Sequence, residues 1–548
     1  MDEIDVEHGR LYWFWWNART RLATFLKNHK LAFFLILISI FTIIFVLRAF
    51  WQPVLVYIRM NMLYFFCLMT VVVVIKMIMS HASQKKIRYG VPLVIIAIVI
   101  GGFFVKEKLG FDIIEHATLY AKYKSLNIVE LSEMPLTDNE RIQPINSVYT
   151  IAKKNANENF WIGKPHFVRG PNGRFQFTIG LEPNYWYNQY SGNVKEVYVI
   201  DADKPQISFS QEHRHPVLFF TGENLKLGKN VYTNVIKTFG LWRFLNYETC
   251  EAKYIVNDQG NIVQVVSLIR WSGFFPTPEF GGVCVISQTE HSWMELIKTL
   301  IFGQGKWIKP EEIKNYPFLV GQNLTPNKVS RFIGESFRFQ KGFFAPLPGI
   351  HWGDIQIPDM AVDMHKQPFT TFFKWEDSSD GSKNKLYSYF ALEPYQSGST
   401  GLNTSVMIPG DGIGPVYVCR HADLKQVLNG PRAIVGFIEN SRKEIFQTNK
   451  NHLAEIRPWI KRINGKSRFF WLGTPVTRSN TANDSLENNP KDKKDIQDFS
   501  LDSGYIVGSI PEVAIAEADS RDVVWVDALK PKLWIETVGK RIEYLQDN

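Results

Sequence analysis

No acidic residue occurs between positions 8 and 106. Three apolar runs lie inside that stretch. Leu31 to Leu47 contains only apolar residues plus Ser39 and Thr42. Asn61 to Ser80 has Lys76 as its only charge, near one end, where a lysine stem can reach lipid headgroups. Val91 to Val105 includes Gly101 and Gly102. A helix needs about 20 mostly apolar residues to cross a bilayer. The first and third runs, 17 and 15 residues long, therefore need their flanks to span. The lack of acids weighs against three core helices of a soluble protein. A cleaved leader is also disfavoured, because the first run starts thirty residues in and no small-residue cleavage site follows it.

Charge fixes the expected orientation. Residues 1–108 hold thirteen Lys and Arg against five acids, so nearly all of the net +9 sits beside the apolar runs. A nucleic-acid domain carries its positive charge on the folded part, so no nucleic-acid partner is expected. Eight basic residues flank one side of the three runs, and Arg48, Arg59, Lys106 and Lys108 flank the other. The positive-inside bias then predicts a cytoplasmic N-terminus in a plasma or inner membrane and an extracytoplasmic remainder. Trp13, Trp15 and Trp16 with Arg19 and Arg21 suit the headgroup interface, which makes the lipid bilayer the first expected partner.

The expected fold class is α+β: three N-terminal transmembrane helices followed by a large mixed region, with two duplicated α+β halves as an option. The predicted organisation is an interfacial segment at 1–30, a three-helix anchor at 31–106, a helical stalk at 107–158, a first α+β domain at 159–340 and a second at 341–548. A polar insertion is expected at 477–498. Apolar spacing predicts helices at 111–125, 144–157, 227–240, 290–302, 310–315, 326–337 and 532–546. Alternation predicts strands at 175–179, 197–200 and 281–286, and a hairpin over 252–269 turning at Asp258-Gln-Gly-Asn261. The duplication rests on an echo. Leu181-Glu-Pro183 is followed by Val197-Tyr-Val199, and Leu392-Glu-Pro394 by Val416-Tyr-Val418. The hairpin-rich stretch 252–287, ending in Phe275-Pro-Thr-Pro-Glu-Phe-Gly-Gly282, resembles small extracytoplasmic modules of the PepSY type. That resemblance matches no specific motif and implies no functional residue.

Chemistry-bearing patterns are few. His213 and His215 would share one face of a strand and could offer two imidazoles to a metal. His351, Asp354, Asp359, Asp363 and His365 form a dense group of potential ligands in a Pro- and Gly-rich loop, but fit no helical zinc or calcium-loop spacing. Gly410-Asp-Gly-Ile-Gly414 lacks the Lys-Ser/Thr of a phosphate loop. No catalytic residue and no cofactor is assigned. Cys250 and Cys284 are the disulfide candidates. Tyr185, Trp186, Tyr187, Phe274 and Phe275 lie in loop-like surroundings, where exposed aromatics mark contacts. The expected function is a non-enzymatic scaffold: a membrane-anchored component of a membrane or envelope complex, acting through protein–protein contacts and forming a homo-oligomer or joining other subunits. The alternatives are an extracytoplasmic metal-dependent hydrolase using the 351–365 loop and a ligand-binding receptor domain.

Overall fold

The computed structural model describes residues 30–60, 69, 73, 113–138, 143–156, 159–171, 173–204, 211–240, 243–273, 275–288, 293–347, 349–360, 366–376, 383–395, 400–447, 451–478, 505–507 and 512–547. Most of the expected second and third membrane runs, the Trp13–Arg21 segment and most of the 477–498 insertion lie outside these residues.

The described chain is a mixed α+β structure in which one architectural sequence occurs twice. The first passage begins with the Ile145–Asn155 helix, whose Val148, Ile151 and Ala152 are buried as their spacing predicts. A five-stranded sheet follows, in which Phe175–Pro183, Val194–Asp201 and Arg214–Phe219 are successive antiparallel neighbours. The Val231–Thr238 helix leads into a four-stranded antiparallel meander of Tyr247–Val256, Ile262–Ser272, Thr277–Ile286 and Lys306–Ile308. The second passage repeats the order. The Asn327–Ser336 helix precedes Phe369–Lys374, Lys385–Pro394, Thr404–Pro409 and Val416–Arg420. The Pro431–Ser441 helix then leads to Asn451–Ile463, Lys466–Arg478, Glu512–Glu517 and Val523–Asp527.

In each passage the middle helix is sandwiched between the two sheets. Val231, Val235 and Ile236 pack between Val197 or Phe219 and Tyr254 or Leu268. Ile434 and Ile438 pack between Tyr389 or Met407 and Leu453 or Trp471. The long hairpins carry the same bulge, between Thr249 and Ala252 in one and between Ala454 and Arg457 in the other. Such a bulge lets two residues face one and bends the strand.

The Leu-Glu-Pro echo falls on equivalent positions. Each triplet ends an inner strand of its sheet, and each glutamate is buried. The Val-Tyr-Val echo does not. Val194–Asp201 is the next strand beside its Leu-Glu-Pro strand, whereas Val416–Arg420 is one strand further out, with Thr404–Pro409 between. The matched letters arise from the similar alternation of buried strands, not from equivalent places.

The segment expected as a helical stalk contributes to the core. Its Ile113–Ser125 helix packs His116, Tyr120 and Tyr123 onto Phe337, Phe339 and Phe343. Ile128–Leu131 then adds to the central seven-stranded sheet, parallel to Val416–Arg420, and Leu136–Thr137 closes the opposite edge.

At the N-terminal side, the Lys30–Val46 helix breaks at Leu47 and bends by 75° into the Arg48–Met60 helix. Among the described residues no single helix is long and apolar enough to cross a membrane. This bent pair satisfies that length and hydropathy only when taken together.

Candidate functional site

The polar residues that sequence reasoning singled out do not converge. Gln211–His213 forms a 3-10 turn, so of the two histidines only His215 lies in the strand, opposite Val197. Arg214 between them reaches Glu196 at 3.7 Å and lies over the Tyr198 ring. In the second group, His351 Nδ1 is 3.2 Å from Asp354 Oδ2, and Arg338 Nη2 donates to the same oxygen at 3.4 Å. The His351 ring stacks on Tyr395. Asp359 is exposed and apart from this trio, and Asp363 and His365 lie outside the described residues. A guanidinium on the carboxylate supplies the positive charge that a cation would bring, so the arrangement is that of an ion pair. Among the described residues, no three His, Cys, Asp or Glu side chains form a group that could hold a metal ion.

The candidate Cys250–Cys284 link does not form, and both thiols are free. The Ile262–Ser272 strand runs between their two strands, which sets them about 10 Å apart at two inter-strand spacings, beyond the reach of a disulfide. Burial pushes the Cys284 thiol up to about 12, the character of an inert core cysteine.

Two buried constellations were not read from the sequence. The first is a hydrogen-bonded chain in the central sheet. Tyr389 and Ser405 hydroxyls are 2.8 Å apart, Ser405 Oγ is 2.9 Å from His421 Nε2, and His421 Nδ1 is 2.9 Å from Gln426 Oε1. The order resembles a serine–histidine relay, but every element of catalysis beyond the spacing is missing. Ser405, Tyr389 and His421 are buried, so no substrate carbonyl reaches Ser405. A neutral glutamine cannot stabilise an imidazolium as a carboxylate does. Desolvation lowers the His421 pKa and keeps the ring neutral. The network satisfies core polar groups. The register that pairs Ser405 with Cys419 brings it together, and no local pattern announces it.

The second surrounds Glu182. Its two oxygens accept the backbone N–H groups of Glu223 and Asn224, each at 2.7 Å. Burial, and then the nearby Glu223 carboxylate, raise its pKa to about 8. Tyr232 donates its hydroxyl to Glu223. Glu393 repeats the role in the other passage, accepting the Arg432 backbone N–H and guanidinium. Each glutamate fills the place where the strand meets the segment entering the middle helix. A Cβ on Gly222 or Gly430 would fall within 2.6 Å of the carboxylate it faces. The Leu-Glu-Pro echo was the sequence signal for both.

Two open clefts carry charged side chains. One of about 390 Å³ is lined by Arg174, Asp201, His215 and Gln288, and another of the same volume by Arg243, Arg270, Trp307 and Lys309. Neither gathers a nucleophile with a base.

Among the described residues, the most distinctive surface chemistry lies at the N-terminal junction. Every side chain from Phe34 to Ile44 is exposed, an arrangement unfavourable in water for a run of Phe, Leu and Ile. At the bend, buried Arg48 donates to the Phe45 carbonyl at 2.7 Å, to Ile301 at 3.0 Å and to Lys237. The last two carbonyls lie at the ends of the Trp293–Phe302 and Val231–Thr238 helices, where carbonyls lack partners within their own helix. Gln52 donates to the Tyr247 carbonyl and Arg59 to Leu245 at 3.3 Å. The Arg48–Met60 helix thus lies on the large domain. Its Trp51, Val54, Leu55 and Ile58 remain exposed.

Of the contact aromatics, Tyr185, Trp186 and Tyr187 are exposed and open the Trp186–Ser191 helix, which buries none of its residues. Phe275 is exposed, and Phe274 lies outside the described residues. Trp271, Trp459 and Trp471 are core. No family model, curated protein or solved structure matches the chain, and the PepSY-type resemblance gains no support from these comparisons.

Proposed function

We propose that the chain is a membrane-anchored structural component of a membrane or cell-envelope complex, whose large extracytoplasmic domain acts through protein–protein contacts. The observation that carries this reading is the junction at Arg48. An apolar helix with its side chains exposed has in its last turn Phe45, whose carbonyl accepts from Arg48, and the same guanidinium donates to the ends of two domain helices. That is the construction of an anchor whose direction is coupled to the domain, not of a loose tether. The Arg48–Met60 helix sits on the domain, which agrees with placing Arg48 and Arg59 on the domain's side of the bilayer. The contact role draws on exposed Tyr185, Trp186 and Tyr187 and on a second exposed group, Phe344, Ile350 and Trp352.

The test combines sidedness and assembly. Protease added to intact spheroplasts is expected to digest the large domain, and the detergent-solubilised protein is expected to have a native mass well above the 63.3 kDa of one chain. A monomer with no co-purifying protein sinks the scaffold reading. A domain protected in spheroplasts sinks the extracytoplasmic one.

A further inference from the structure

Large apolar side chains crowd one helix outside the anchor. Trp293 and Met294 are 80% and 81% exposed, and Ile297 and Phe302 are also exposed. Thr299 is the only buried residue of the Trp293–Phe302 helix. A helix that keeps its apolar residues outward on an α+β domain has no water-based reason to form. It is also not remote from the anchor. It touches the Lys30–Val46 helix directly, and its Ile301 carbonyl is held by Arg48 at the anchor's foot. Its inner side rests on the Leu227–Lys229 turn and the Val231–Thr238 helix, where Lys237 Nζ donates to the Leu300 carbonyl at 2.9 Å. Leu227 of that turn is also exposed, and the neighbouring Lys226 N–H donates to the Gln189 carbonyl of the Trp186–Ser191 helix at 2.9 Å.

We propose that the Trp293–Phe302 helix is a second membrane-contacting element, lying in the lipid interface with Trp293, Met294, Ile297 and Phe302 among the headgroups and upper acyl chains. The occupant of this face is the bilayer, because the face is continuous with a helix whose exposed side chains already call for lipid. The composition fits. Tryptophan favours the interface, and Lys298, whose ammonium lies 3.6 Å from Glu295 one turn earlier, is exposed with a stem long enough to reach phosphates. Arg48 fixes the depth, since one guanidinium holds both the foot of the anchor and the end of this helix. The domain therefore sits flat on the membrane along this edge. The inference rests on the membrane reading above.

The experiment separates the two. Of the four cysteines, Cys284 and Cys419 are buried and stay, and Cys67 and Cys250 are replaced by Ser; full-length protein carrying one nitroxide, introduced as Met294→Cys, Ile43→Cys or Val427→Cys, is reconstituted in phosphatidylglycerol/phosphatidylethanolamine vesicles. Power saturation is then measured with oxygen and with a water-soluble nickel chelate. Met294 and Val427 are both highly exposed, so the labels need not disturb packing. Expected is preferential oxygen access at 43 and at 294, and preferential nickel access at 427. Nickel access at 294 like that at 427 overturns the inference while leaving the anchor standing. Shielding of 294 from both reagents also overturns it, since protein rather than lipid would then cover the face. Nickel access at 43 removes the membrane reading itself, and this inference with it.

Discussion

Glu182 shows how a single buried carboxyl couples this fold to pH. Desolvation dominates its shift, Glu223 adds to it, and the pKa reaches about 8. An exposed glutamate in the unfolded chain titrates near 4.3. The folded state therefore holds its proton more tightly, so the stability linked to this group is complete below about pH 4 and is lost as pH rises toward 8. The melting temperature of the wild-type protein is expected to fall between pH 5 and 8. In Glu182→Gln that fall should be shallower, because the amide does not ionise. The variant should also be less stable at pH 5 by about 1–3 kcal/mol, since its amide NH2 meets a backbone N–H where the hydroxyl oxygen of the neutral carboxyl can still accept. Parallel melting curves for the two proteins across this range would sink the assignment. Glu393 differs in kind, because the Arg432 guanidinium lies on its carboxylate.

The Trp293–Phe302 helix ends through a glycine that no other residue can replace cheaply. Gly303 has φ +81°, and a Cβ there would lie 2.0 Å from the Asn234 carbonyl oxygen. Its N–H donates to the Thr299 carbonyl at 3.0 Å, the usual way a helix is closed by a left-handed residue. Gly303→Ala should cost about 2–3 kcal/mol in denaturant unfolding, and should raise protease cleavage near Ile301 by loosening the carbonyl that Arg48 holds. Unchanged unfolding and cleavage would mean that the two helices are not packed as described. Elements of this kind were legible where their cause is local. The apolar spacing of 144–157 and 326–337 marks helices Ile145–Asn155 and Asn327–Ser336, and alternation marks the 252–269 hairpin. The strand Ile128–Leu131 was not legible, because its partner Val416–Arg420 is distant in sequence and a four-residue strand carries little pattern. The same reason divides the candidate residues. His351 and Asp354 meet within one turn of chain, whereas Arg338, Ser405 with His421, and Glu182 with Glu223 meet only through tertiary packing.

The two passages do not fold back on themselves alone. The hairpin of the second supplies what the leading helix of the first lacks. That helix follows Pro144, which offers no side-chain cap, and the Ile145 N–H instead donates to Glu455 Oε1 at 2.7 Å. Phe372 and Leu386 of the second passage complete the cluster around Val148 and Phe177 of the first. In return, Ile269 and Trp271 of the first passage pack with Val329 and Phe390 of the second. In the segment between the passages, Gln322 exchanges two hydrogen bonds with the backbone of Arg169, at 2.8 and 2.7 Å. Such reciprocal packing makes each half part of the other's core, so the large domain should open as one cooperative unit. Glu455→Ala removes a helix cap, a loss of about 1–2 kcal/mol. Amide hydrogen exchange should then report an equal drop in opening free energy for the Ile262–Ser272 strand and for the Asn451–Ile463 strand. A drop confined to the strands around Glu455, with Ile262–Ser272 unchanged, would mean that the passages are separate folding units placed side by side, and the rigid platform that the anchor is proposed to orient would be lost.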